Sequence, residues 1–236
     1  MAEELVICQA APQQRAAALD LTFSTLLPQP ARQEHIRSLL NESGAGEGRW
    51  RGLWVAQRQK TLVGAVWAHF QPGLAVNVWP PRLAAGESDA VADRLLAAVL
   101  AEVDSAGIRM AQSLLAPADR EDVSRLSAAG FTLLAELMYL VGSCSAGSGV
   151  PPELPLELEP YSAADRARME SIVDRTYVKS LDCAGLNGIR SGSQLLDEYQ
   201  STAANQPGHW FFARHEGADV GCLLLADHPA LDQFEL

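Results

Sequence analysis

The chain has 236 residues, of which 48% are hydrophobic and 20% charged, values that are ordinary for a globular protein and exclude a largely disordered one. At roughly 100 to 200 residues per domain, this length allows one large domain or two small ones. The formal net charge of −11 repels polyanions, which argues against nucleic acid or an anionic membrane surface as a partner.

The sequence also bears on the cellular compartment of the protein and on whether it binds a metal. No apolar run approaches the roughly 20 residues that cross a bilayer. The N-terminal sequence MAEELVICQ has glutamates where a secretory signal has a basic region and a long apolar one. We therefore expect a cytoplasmic protein with no membrane partner. The four cysteines are far apart and form no C-x-x-C pair, so no metal site is expected.

The first half of the chain predicts a strand, a broken helix and three further strands. ELVICQA predicts the first strand, and residues 12–40 have a helical pattern interrupted at Pro28 and Pro30. LWVAQRQ and TLVGAVWAHF predict an antiparallel hairpin with its turn at Gln59 and Lys60. LAVNVW predicts the next strand.

A helix over residues 89–106 is the clearest prediction in the sequence. Its apolar residues recur at helical spacing, with Asp89 as the predicted N-cap and Gly107 as the stop; they are Val91, Leu95, Leu96, Val99 and Val103. IRMAQSLLA then predicts a buried strand, and ADREDVSRLSAAG predicts a helix that ends at Gly130. FTLLAELMYLV predicts a closing strand or hairpin, and the whole pattern is mixed α/β.

Two copies of one pattern are indicated by the sequence itself. Shifting the chain by 157 positions aligns LWVAQRQKTLVGAVWA with FFARHEGADVGCLLLA, so that Ala56 meets Ala213 and Gly64 meets Gly221. LELEP and a helical run over 163–177 precede the second hairpin. We predict a first domain over 1–142, a linker over 143–155 that is rich in small residues and prolines, and a second copy over 156–236.

The second copy stops early at this shift. Leu236 falls opposite Trp79, so the counterparts of residues 80–141 are missing from the sequence. We expect an open strand edge and an uncovered apolar face, and therefore packing of residues after Pro155 against the first domain or self-association with another chain.

This element order, the V-G hairpin and the sequence RLSAAGF at 125–131 resemble the GNAT superfamily of N-acetyltransferases, in a tandem arrangement with a divergent first domain and a truncated second one. The resemblance implies a GNAT-like acyl-CoA N-acyltransferase fold, α/β with a mixed sheet, in two copies of which the second is incomplete. It implies acetyl-CoA as co-substrate and an amine of a small molecule or protein as acceptor. The alternative is a non-catalytic scaffold or acyl-CoA-sensing module.

The resemblance also places a cofactor loop. The family motif is approximately V-x-P-x-x-[Q/R]-x-x-G-x-[G/A], and its loop and helix N-terminus present N–H groups to the pyrophosphate. Val78, Pro80 and Gly86 match it, Leu83 stands at the Q/R position, and Ser88 replaces the last small residue. The cofactor-binding residues implied are Val78, Arg82, Gly86, Glu87, Ser88 and Asp89.

The charges of this loop affect pyrophosphate binding, and its position predicts how the neighbouring strands are arranged. Glu87 and Asp89 bring negative charge beside the expected pyrophosphate unless their side chains turn away, and Arg82 and Arg94 offset part of it. The strands LAVNVW and IRMAQSLLA are expected to splay apart around the coenzyme.

No residue is assigned as catalytic. Leu126 occupies the position where many family members have a tyrosine that acts as the acid. Ser124 and Ser127 are near that position and are poor acids at neutral pH. Glu136 and His69 are the available bases, and Tyr139 is expected to pack in the core.

The acceptor site is predicted in the second copy. Residues 176–190 form an irregular insertion between helical segments, where family members usually shape the acceptor site. Asp182 and Arg190 are the candidate substrate contacts there. The alternative is an exposed loop with solvated charges.

Overall fold

The computed structural model describes residues 4–41, 47–72, 74–138, 140, 142, 155–180, 185, 187–201, 207–228 and 233–235. Contacts divide the chain into two compact units, Met1–Thr132 and Leu133–Leu236. Of the predicted linker 143–155, only Pro155 is among the described residues. Within the described residues, no helix has the length and apolar character needed to cross a membrane.

The first unit is a five-stranded sheet with helices on both faces. Its elements in chain order are β1 (Leu5–Gln9), α1 (Arg15–Thr22), α2 (Gln29–Asn41), β2 (Leu53–Arg58), β3 (Thr61–Gln71), β4 (Ala75–Leu83), α3 (Asp89–Ser105), β5 (Met110–Gln112) and α4 (Arg120–Ala128). The strands lie in sequence order, with the first four antiparallel and β5 parallel to β4. The predicted mixed α/β class is confirmed, and the element order agrees with the predicted one as far as α4.

The sheet buries a different set of side chains on each face. Because successive residues of a strand point to opposite sides, β3 contributes Val66 and Ala68 to the core beneath α3 and α4, and Trp67 to the core beneath α1 and α2. All five apolar residues predicted to face the core from α3 are buried. Burying one such side chain stabilises the fold by about 1.5 to 3 kcal/mol, so this helix is held to the sheet mainly by packing.

Two turns agree with the sequence. Gln59 and Lys60 have φ values of 49° and 69°, the left-handed pair that suits the twist of a two-residue hairpin. Gly107 follows α3 with a φ of 68°, as expected for a helix stop. Gln29 begins α2, so the predicted break in the first helical region falls over residues 23–28.

Three predictions need correction. Ser88, and not Asp89, is the N-cap of α3; Asp89 is the first helical residue. The buried strand predicted at IRMAQSLLA is limited to Met110–Gln112. Residues 131–138 form no strand; Leu133 and Met138 are each 82% exposed. An apolar run satisfies a strand pattern, but a strand also needs a partner for its backbone groups.

The second unit contains β6 (Glu157–Pro160), α5 (Arg166–Thr176), α6 (Gly192–Ser201), β7 (Trp210–His215), β8 (Ala218–Leu224), β9 (Ala226–His228) and β10 (Gln233–Glu235). β6, β7 and β8 form one antiparallel sheet in that order, and β9 pairs with β10. The α5 and α6 helices supply Met169, Ile172, Val173, Leu195 and Leu196 to a core that includes Trp210 and Phe212.

The hairpins of the two units have the same local geometry. Both are confirmed as antiparallel, with Ala56 opposite Gly64 in one and Ala213 opposite Gly221 in the other. Each has a register shift immediately after that alanine. The turn residues Glu216 and Gly217 have φ values of 49° and 78°, left-handed like those of the first hairpin. The offset of 157 therefore aligns register, bulge and turn.

A cluster of charges holds the second sheet to α5. Arg168 donates to Asp219 at 2.5 and 2.7 Å and to Glu159 at 2.6 Å, and its guanidinium carbon lies 3.8 Å from the centroid of the Phe212 ring. Arg214 donates to Glu159 at 3.0 Å. The hydrogen bond from Arg168 is the main reason that the pKa values of Glu159 and Asp219 lie below their usual range.

These lowered pKa values make the second unit sensitive to acid. The folded carboxylates bind protons less readily than unfolded ones, so their contribution is complete above the unfolded pKa and lost as pH falls through the folded value. We expect the hydrogen-exchange protection factors of β7 and β8, taken relative to unstructured amides at the same pH, to fall between about pH 5 and pH 2, and less steeply in the variant Glu159→Gln/Asp219→Asn. The exposed Glu157→Gln is the control, and an unchanged pH dependence in the double variant would contradict this assignment.

Candidate cofactor site

β4 and β5 separate after a short ladder. Their parallel pairing covers Ala75 to Asn77 on β4 and Met110 to Gln112 on β5, whereas β4 continues to Leu83 along β3. A side-chain hydrogen bond of 2.7 Å from Gln112 to Asn77 lies at the end of the ladder. Beyond Asn77 and Gln112 the last part of β4 is therefore paired with β3 and not with β5.

A buried hydroxyl lies where β5 ends. Ser113 directly follows the last paired residue, and its Oγ is buried without a hydrogen-bond partner. A buried polar group that lacks a partner costs about 1 to 3 kcal/mol, and such atoms are few in native structures. A buried hydroxyl is therefore present next to the end of the β4–β5 ladder.

The predicted cofactor loop forms a tight turn at the N-terminus of α3. The Glu87 N–H donates to Ala84 O at 3.3 Å, and Gly86 has a φ of 88° with no heavy atom within 4 Å of where a Cβ would lie. Ser88 caps the helix through an extended backbone, but its side chain makes no capping hydrogen bond. The first-turn N–H groups of this 17-residue helix and the positive end of its dipole suit an anion.

The two carboxylates that the sequence places beside the expected pyrophosphate are each paired with an arginine. Glu87 accepts from Arg58 on β2, with Nε 3.0 Å from Oε1, and its side chain is 15% exposed. Asp89 accepts from Arg125 on α4 at 2.6 Å and is 85% exposed. Arg125 also lies 3.4 Å from Asp93. Pairing removes much of the repulsion that the sequence predicts here.

Arg82 is not available as a simple phosphate ligand. Its two terminal nitrogens donate to Asp122 on α4 at 2.8 and 2.7 Å, and its Nε donates to Thr25 at 3.0 Å. The Arg82 and Asp122 side chains are only 13% and 9% exposed. Sequence reasoning missed Asp122, because a polar residue in an amphipathic helix gives no signal of a partner 40 positions away.

Together these residues fit a phosphate through the backbone. The Gly86 turn leaves space beside the loop. The Ser88 side chain does not occupy the N–H groups of the first turn of α3, and the dipole of this helix favours negative charge there. The side chain of Val78 is buried toward α3, so this residue borders the site through its main chain. Arg82 would reach a phosphate only by leaving Asp122.

The catalytic candidates are scattered. Leu126 is buried in the core beneath α4, while Ser124, Ser127 and Glu136 are exposed. Tyr139 lies outside the described residues. His69 is half-buried, stacked on Trp67 with ring centroids 4.8 Å apart, and its Nδ1 lies 2.9 Å from Gln71 Nε2.

Of the two predicted acceptor residues, Arg190 is the one that the structure describes. Asp182 lies outside the described residues. Arg190 forms an ion pair with Glu198 on α6, and these side chains are 11% and 20% exposed. The arrangement favours a role for Arg190 in joining the insertion to α6.

Comparisons with known proteins leave the family open. No protein-family model matches the sequence, and no curated protein matches it. Similar solved structures include the aminoglycoside N-acetyltransferase AAC(6')-Iy in complex with CoA, at 16% identity over 61% of this chain and 98% of the other, with a TM-score of 0.45. Diaminobutyrate acetyltransferase EctA from Paenibacillus lautus is 14% identical over 54% and 75%, with a TM-score of 0.43. A transcriptional regulator from Bacillus halodurans is 13% identical over 59% and 100%, with a TM-score of 0.44. At these identities and TM-scores, the likenesses establish neither a family nor an activity for this chain.

Proposed function

We propose that the chain is an acyl-CoA-dependent N-acyltransferase that transfers the acetyl group of acetyl-CoA to an amine. The observation that carries the proposal is the separation of β4 from β5 beside the N-terminus of α3. In this proposal an extended arm lies along the part of β4 beyond the ladder, and a compact anion lies at the helical N–H donors that follow it. An acyl thioester with a pyrophosphate has that combination of an extended arm and a compact anion.

The residues of the first unit have distinct roles in this proposal. Gly86 and Ser88 let the pyrophosphate approach the first turn of α3, and the Ser113 hydroxyl offers a polar contact to the arm. Acetyl-CoA, when bound, supplies an acyl group activated as a thioester. The protein's main contribution is to hold the amine and the acyl carbon together, since positioning alone accounts for a large part of the rate in such transfers.

We further propose that residues 1–142 and 156–236 are two copies of one domain, the first divergent and the second represented here by its N-terminal part. The matched register, bulge and turn of the hairpins support this reading. In each copy the strand before the hairpin pairs with the hairpin's first strand, and two helices lie between them. Self-association through the second copy belongs to the same proposal.

A second candidate function is a non-catalytic module that senses acyl-CoA or serves as a scaffold. The buried pair of Arg82 and Asp122 favours it, because an anionic ligand must compete with a carboxylate that is already in place. The burial of Leu126 at the position of the family's tyrosine favours it as well.

Turnover separates the two candidates. The full chain is incubated with acetyl-CoA and a panel of aliphatic, aromatic and peptide amines, and release of the free thiol is compared with a reaction lacking amine. An N-acyltransferase gives amine-dependent thiol and the corresponding amide. Binding of acetyl-CoA without turnover of any amine would contradict the transferase and leave the sensing module.

A further inference from the structure

A row of polar side chains without a carboxylate crosses three strands at the level where the β4–β5 ladder ends. His69 on β3 lies opposite Asn77 on β4, which lies opposite Gln112 on β5. Gln112 donates to Asn77 at 2.7 Å, and Gln71 lies 2.9 Å from His69. All four side chains are half-buried. Their hydrogen bonds fix the orientation of the amide groups at the end of the β4–β5 ladder.

Two tryptophans form the next row on the same face. Trp79 follows Asn77 by two residues and lies opposite Trp67; their rings stack with centroids 4.9 Å apart and planes inclined by 18°. Trp67 is buried, whereas Trp79 is half-buried. The ladder with β5 has ended at this level, so among the described strands Trp79 is paired on the β3 side alone.

This face is the one opposite α3. Trp67 packs in the core beneath α1 and α2, and Trp79 packs against that core. The loop and helix N-terminus proposed for the cofactor lie at the end of β4 that leads into α3. An acceptor on the tryptophan face and a thioester on the α3 face would meet where the β4–β5 ladder ends.

We propose that the tryptophan face, defined as Trp67, Trp79, His69, Asn77 and Gln112, binds the acceptor, and that the acceptor is an arylamine. This inference rests on the proposed function. An aromatic ring stacks well on the half-buried Trp79, and the Asn77 and Gln112 amides offer neutral hydrogen-bonding partners. The five defining residues include no carboxylate, and an ammonium group would lose its hydration there without an opposite charge.

An arylamine also suits the chemistry of a site without an assigned base. Its amino group is uncharged at neutral pH because the lone pair is delocalised into the ring, so no proton has to be removed before attack. The bond from nitrogen to the acyl carbon forms, the carbon–sulfur bond breaks, and one amine proton ends on the departing sulfur. Atoms and charge balance with no further reactant.

Calorimetric titration of the full chain with 4-methylaniline and cyclohexylamine tests the assignment. The two amines have similar size, but only the first is aromatic and neutral. We expect 4-methylaniline to bind about tenfold tighter than cyclohexylamine, and Trp79→Leu to weaken its binding about tenfold through loss of stacking and apolar contact. Trp79→Phe retains an aromatic face and should keep most of the affinity.

The matched control is Trp54→Leu, which removes a half-buried tryptophan from β2 on the α3 face and should leave 4-methylaniline binding unchanged. Equal or tighter binding of cyclohexylamine, or unchanged affinity in a folded Trp79→Leu chain, would overturn the assignment. Where Trp79→Leu does not fold, Gln112→Leu replaces it and is expected to weaken binding. Acetyl-CoA titrated into the same samples separates the two claims. If acetyl-CoA binds and 4-methylaniline does not, the acceptor assignment alone is overturned. If 4-methylaniline binds and acetyl-CoA does not, the proposed function is overturned.

Discussion

Replacing Asp122 by alanine is expected to lower the free energy of unfolding by about 3 kcal/mol, the lower end of the loss seen when one partner of a buried ion pair is removed. Asp122 is the bidentate acceptor for Arg82, and both side chains are nearly buried. The variant leaves a guanidinium in a site from which most water is excluded. Denaturant unfolding of wild type and variant measures the difference.

Asp93→Ala is the matched control for that experiment. Asp93 is also a helical carboxylate beside an arginine, but it is 66% exposed and lies 3.4 Å from Arg125, so we expect a loss of less than about 1 kcal/mol. Replacing both Arg82 and Asp122 by leucine should recover much of the stability, because no charge is then left without a partner. Equal effects of Asp122→Ala and Asp93→Ala would show that the buried pair is not a significant support of the fold.

Gly86→Val is expected to weaken acetyl-CoA binding at least about tenfold. The backbone at Gly86 has a φ of 88°, which a β-branched residue adopts only with strain. Relief of that strain reshapes the turn that brings the loop to the N-terminus of α3. Calorimetric titration with acetyl-CoA measures the loss.

Gly107→Val controls for strain as such. Gly107 also has a positive φ, 68°, with open space around it, but it lies at the other end of α3. We expect a comparable loss of stability and no change in acetyl-CoA affinity. Unchanged binding in Gly86→Val, or equal weakening in the two variants, would place the cofactor elsewhere.

The parts of the fold that the sequence predicts well are those set by local periodicity. The helix α3 and its buried face follow from five apolar residues at one spacing, whereas its packing against β2, β3 and β4 is seen only in the structure. The hairpins follow from two β-rich runs around a short polar turn, and their agreement at an offset of 157 can be predicted because register and turn are encoded by neighbouring residues.

The parts that failed depend on partners far along the chain. The apolar pattern at 131–138 predicts a strand, but a strand forms only where its backbone pairs with another strand. Residues 131–138 have no such pairing in the structure. In the same way, the sequence places Arg82 beside a phosphate loop, but the buried carboxylate that it binds is on α4. Sequence periodicity identifies which residues face inward, and it does not specify which of them meet.

The most direct test of the proposed function is a calorimetric titration of the full chain with acetyl-CoA, compared with CoA lacking the acyl group. The end of the β4–β5 ladder together with the α3 N-terminus predicts saturable binding of both ligands in roughly the micromolar range, the order expected for enzyme co-substrates. No binding at millimolar ligand would contradict it and would mean that this chain has the fold features of the site without its cofactor.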